Sequence, residues 1–120
     1  MSMNVWVKSG RVFNLTPAAG ITTAEPTNGT PIYKDSPYAS FQGIVTGTGA
    51  VTTTVLIQAS NEEATWLGTK SNWITVGTIT LSGTTTATDG LTTIAPWKYM
   101  RASVTAISGT GATVKVFMGV

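Results

Sequence analysis

A chain of 120 residues is one domain's worth, long enough to bury a core without a metal or disulfide staple. It contains no cysteine and no histidine, which removes disulfides and thiolate chemistry together with the usual general base, the usual zinc ligand and the usual pH switch. The net charge is +2, from seven basic and five acidic residues, and Lys8, Arg11, Lys34, Lys70, Lys98, Arg101 and Lys115 are spread along the chain rather than clustered as in nucleic-acid binders.

The five carboxylates, Glu25, Asp35, Glu62, Glu63 and Asp89, form no spacing motif. Glu62 and Glu63 are adjacent, so on extended backbone they point apart and cannot serve one substrate as an acid/base pair. This inventory predicts a protein that is not an enzyme and carries no cofactor or metal. No apolar run reaches the ~18 residues of a membrane helix, and the start, MSMNVWVKSGR, lacks the apolar core of a signal peptide. The expectation is a soluble product with neither a membrane nor a nucleic acid as partner. Threonine is the unusual residue, with 24 copies beside 13 glycines. It is β-branched and suits a half-wet pleated surface, and no segment carries the 3, 4 apolar spacing of an amphipathic helix. The chain reads as nearly all β.

In chain order, residues 3 to 15 read as an opening hairpin turning at Ser9-Gly10. Trp6 within it is a candidate core or interface anchor. From Thr16 to Pro37 the periodicity dissolves among four of the five prolines. A connection of about twenty structureless residues is uncommon inside a compact domain. Two readings stand: a surface loop, or an extended arm laid along a neighbouring subunit, with Ile32, Tyr33 and Tyr38 as the side chains worth burying. The arm is favoured, so the predicted organisation is residues 1–37 as hairpin plus Pro-rich arm and 38–120 as the body of a single domain.

In the body, Phe41, Gly43 and Val45 alternate on one face, Gly47-Thr48-Gly49 predicts a turn, and Val51, Thr53, Val55, Ile57 and Ala59 alternate on a second strand. Asn61 to Asn72 reads as a loop carrying Trp66. Trp73 to Leu81 is a strand whose apolar parity switches at Gly77, the signature of a β-bulge. Ser82-Gly83 is expected to end it, and Asp89-Gly90 to turn a further small hairpin. Pro96 leads into the firmest prediction, a hairpin over 97–118 with Met100, Ala102, Val104 and Ala106 on one face, a reversal at Ser108-Gly109-Thr110-Gly111, and Val114, Val116 and Met118 on the returning strand. The letters GTGA occur at 47–50 and again at 109–112, which suggests two similar hairpins. About eight strands without helix predict an antiparallel β-sandwich, jelly-roll or immunoglobulin-like.

The runs SFQGIVTGTGAVTTTVLIQASNE, WITVGTITLSGT and DGLTTIAPWKYMRASVTAISGTGATVKVFMG resemble small β-rich virion structural proteins of tailed bacteriophages, over about residues 40 to 119. The most specific part is PWKYMRASVTAISGTGATVKVFMG. The resemblance implies a component of the particle, made in the host cytoplasm and carried on the capsid surface. Its expected role is decoration or cementing of the shell by binding the major capsid protein and neighbouring copies as a homo-oligomer, with Trp6, Ile32, Tyr33 and Tyr38 as candidate contacts. A tail or neck position is the alternative within the virion. A carbohydrate-binding module is the alternative outside it, with Trp66 and Trp73 stacking on a sugar and Asn61, Lys70 and Asn72 as polar neighbours; against it stands the reading that both tryptophans cap the core.

Overall fold

The computed structural model describes residues 12–24, 27–28, 32–33, 37–61 and 72–120. These are all β, in seven strands: β1 (Val12–Asn14), β2 (Thr27–Asn28), β3 (Ile32–Tyr33), β4 (Tyr38–Ser60), β5 (Ile74–Ile94), β6 (Tyr99–Ser108) and β7 (Thr113–Gly119). They form one antiparallel hydrogen-bonded sheet in the order β1-β7-β4-β6-β2, with β3 also on β6 and β5 also on β4.

The sheet is organised by β4, 23 residues long. One of its edges carries β5 from Tyr38↔Ile94 to Ala59↔Ile74. Its other edge carries β7 along the first half, Ser40↔Gly119 to Thr46↔Thr113, and β6 along the second half, Thr52↔Ser108 to Ser60↔Tyr99. At about 3.3 Å per residue a straight β4 would span roughly 76 Å, whereas the longest dimension of the molecule is 52 Å. The β4–β5 ribbon therefore folds back on itself, and contacts across the core show it. A Cβ on Gly43 would lie 3.4 Å from Ile79 and Leu81, and one on Gly77 would lie 2.8 Å from Leu91. Gly43 and Ile79 belong to opposite halves of the ribbon, as do Gly77 and Leu91.

The fold-back is built where the register slips. Thr46 pairs with Thr86 and Ala50 with Thr84, so Gly47, Thr48 and Gly49 face Thr85 alone, and Thr85 takes a positive φ of 74°. On the neighbouring strand, Thr48 donates through its N–H and its Oγ1 to the carbonyl of Thr110, both at 3.0 Å, and Ala112 N–H closes a tight turn onto the Gly109 carbonyl at 3.2 Å. The two GTGA segments thus lie side by side at one bend.

Several sequence expectations are corrected by this geometry. The 97–118 segment is not a hairpin: β6 and β7 both run antiparallel to β4 and follow one another along the same edge of it, so 109–112 carries the chain around the corner. Likewise Gly47-Thr48-Gly49 bends one continuous strand, and β5 runs through both Ser82-Gly83 and Asp89-Gly90, which pair with Thr52, Val51, Gly43 and Gln42. A glycine signals freedom of φ, and a bend within a ladder uses that freedom as readily as a reversal does. The bulge beside Gly77 is present: Ile57 pairs with Gly77 and Gln58 with Thr75, leaving Val76 as the extra residue.

The core follows the predicted alternation closely. Phe41, Val45, Val51, Thr53, Val55, Ile57, Ala59, Met100, Ala102, Val104, Val114, Val116 and Met118 are buried. Ala106 is the exception and is exposed. Thr54 pairs with Ala106 and Val55 with Val104, so Thr105 is an extra residue that reverses the side-chain parity beyond it.

Residues 12–21 belong to this same core. After β1, Leu15 and Ile21 are buried in the cluster with Val116 and Met118, Gly20 N–H closes a turn on the Pro17 carbonyl, and Ile21 exchanges backbone bonds with Val114. The start of the expected arm is therefore a strap on its own β7. Farther on, β2 and β3 pair with this chain's own β6, Thr27↔Val104 and Ile32↔Met100.

Candidate interaction surface

Folding the ribbon brings its two ends, Tyr38/Ile94 and Ala59/Ile74, to the side opposite the bend. Among the described residues the exposed large hydrophobics, Val12 (72 %), Tyr38 (63 %), Ile74 (51 %) and Ile94 (71 %), all lie at this open end. Exposure of single apolar residues is ordinary, and grouping is what matters. Val12, Tyr38, Ile94 and Val120 border a shallow trough of about 750 Å³ whose floor includes Ser40 and Thr92. A smaller depression of about 490 Å³ continues from it past Gln42, Gly90 and Phe117.

The local sequence explains the trough. Leu91 and Thr93 turn toward the interior, so Thr92 and Ile94 turn outward. On β1, Phe13 is half-buried against the core and Val12 faces out. Gly90 and Gly119 line the smaller depression. Among the described residues no carboxylate, lysine or arginine borders either depression, and no group of three or more acidic side chains is placed to hold a metal ion. Such a surface can bury apolar area against a partner, and its own groups supply no acid/base pair.

Tyr38 stands on the rim of the trough. For Ile32 and Tyr33 the backbone pairs with Met100 and Tyr99, away from the trough. Trp6 lies outside the described residues, and so do Trp66 and Lys70. Trp73 is half-buried, with the Arg101 guanidinium 4.2 Å from its ring centroid, a cation–π distance. Arg101 Nε donates to Gln58 Oε1 at 2.9 Å, and burial holds the guanidinium below its ordinary pKa. One face of Trp73 is thereby occupied within its own sheet, and Asn61 is committed as acceptor of the Lys98 N–H at 2.9 Å.

Sequence reasoning missed Val12, Ile94 and Val120. The available signal at Ile94 was phase: it stands three residues after Leu91, hence on the opposite face of a strand. What the fold and surface define is an all-β antiparallel protein with a trough at its open end whose described lining is apolar and uncharged. No protein-family model, curated protein or solved structure matches the chain significantly.

Proposed function

We propose that this chain is a structural virion protein that decorates or cements the outer capsid shell of a tailed bacteriophage, binding the major capsid protein and neighbouring copies. The observation that carries the reading is the trough bordered by Val12, Tyr38, Ile94 and Val120, on a molecule whose described exposed residues are rich in threonine. Tyrosine and isoleucine anchors are what a broad contact with a protein shell needs, and a multicopy shell adds avidity without further contacts. The resemblance of residues 40 to 119 to phage structural proteins points the same way. In this reading the folded ribbon is a β-sandwich whose two layers are the two halves of β4 and β5. The contacts of Gly43 with Ile79 and of Gly77 with Leu91 support the layering.

The test is co-sedimentation of purified protein with particles that lack it. Tyr38→Ser/Ile94→Ser removes an exposed cross-strand pair, so stability should fall by roughly 1 kcal/mol, while particle affinity should fall at least ~10-fold, about 1.4 kcal/mol. Full-occupancy binding by the folded variant removes the trough from the reading. Binding confined to tails or necks would replace the capsid shell with the alternative position.

A further inference from the structure

We infer that the edge of β5 on which no described strand pairs is a self-association surface, on which a second copy of this chain lays its own β5 antiparallel to the first. This goes beyond the capsid reading and stands without it, because the edge is a property of the chain alone.

Along its 21 residues β5 pairs with β4 on one side, and no described strand pairs with its other side. An edge of that length presents a row of unpaired N–H and C=O groups, a template for another strand. Natural monomers blunt such edges with lysine, proline, bulges or very short strands. Here the strand reads ITVGTITLSGTTTATDGLTTI, with no lysine, arginine, glutamate or proline and one charge, Asp89. The bulge at Val76 and the bend at 84–86 interrupt it, but they leave two regular stretches, 77–83 and 86–94. Both stretches lie on the same side of the molecule, since each flanks β4 on the edge away from β6 and β7.

The occupant follows from what a second copy can offer. At the opposite border of the sheet the described strands are β1, with three residues, and β2 and β3, with two each. Among the described strands β5 alone presents a long edge without a paired strand, and pairing it with the β5 of another copy matches the two edges residue for residue. Antiparallel pairing of a strand with its own copy is isologous and closes as a twofold dimer. The side chains suit it: threonine, isoleucine and valine make favourable cross-strand pairs, and a near-uncharged strand brings no row of like charges together. A twofold axis near Thr80 would set Thr78 against Ser82 of the second copy, all three being exposed.

The experiment is the solution mass of the full chain, by light scattering and sedimentation at tens of micromolar, with amide exchange along β5. The expected mass is twice 12.5 kDa, or 25 kDa, with slow exchange at β5 amides that point away from β4. Thr78→Lys/Thr80→Lys places like charges across the pair and should weaken the dimer at least ~10-fold, giving 12.5 kDa and fast exchange at those amides. Thr22→Lys adds the same kind of charge beside β7 and should leave the mass at 25 kDa. A wild-type mass of 12.5 kDa overturns the inference, as does an oligomer that the double lysine variant leaves intact. If the double variant fails to fold, wild-type exchange decides: fast exchange at the outward β5 amides within an oligomer overturns the inference, and protection there upholds it. Neither result bears on whether the chain binds a capsid.

Discussion

Two glycines of the GTGA segments carry different duties, and the difference is measurable. Gly109 has a φ of +119°, and a Cβ there would lie 2.5 Å from the Ala50 carbonyl oxygen and 3.0 Å from Val51 Cγ1. Gly109→Ala combines backbone strain with overpacking against atoms that cannot swing away, and should cost roughly 2–4 kcal/mol. A Cβ on Gly49 would meet nothing within 4 Å. Gly49→Ala should be neutral or stabilising by up to about 1 kcal/mol, through the smaller entropy of its unfolded chain. Urea denaturation of both variants checks the pair; equal losses would mean that the bend does not depend on the close approach at Gly109. Both glycines were visible in the sequence, yet their unequal roles were not, because the distinction lies in which backbone passes beside each.

At the scale of elements, the strap over residues 12–21 is held by one small polar knot. Asn14 Oδ1 accepts from Thr16 N–H at 2.9 Å and from Thr16 Oγ1–H at 2.6 Å, and Thr16 Oγ1 in turn accepts the Val116 N–H at 3.3 Å. Thr16 is buried, so removing its acceptor leaves buried donors short of a partner. Asn14→Ala should cost about 1–2 kcal/mol, read as a lower urea midpoint at unchanged m-value; no change in midpoint would show that the apolar seats of Leu15 and Ile21 hold the strap unaided. The alternation of β4, β6 and β7 was legible because period-two burial is written residue by residue. What alternation cannot carry is the pairing of strands. The same Ser-Gly-Thr-Gly that would close a hairpin instead carries the chain from β6 to β7 along β4, and only the partner on the neighbouring strand distinguishes the two. Ala106 shows the complementary limit: its phase was read correctly from Val104, and the extra residue Thr105 then moved it to the outside.

For the molecule as a whole, one long ribbon bent at glycine- and threonine-rich corners gives a dry interior between its halves, a threonine surface, and an apolar rim where its ends meet. The β class and most of the core could be read from the sequence, since both follow from composition and parity. The trough could not, because Val12, Tyr38, Ile94 and Val120 are brought together by the pairing of β1, β7, β4 and β5 side by side, which no local pattern encodes. For residues 16–21, the start of the arm expected over 16–37, the structure shows a strap on the chain's own sheet; the proposed partner contact lies at the open end. The most direct measurement of the proposed role is the copy number of this chain relative to the major capsid protein in purified particles. Decoration requires a simple ratio set by shell symmetry, on the order of hundreds of copies per particle, lowered by Tyr38→Ser/Ile94→Ser. A handful of copies, or none, would contradict it.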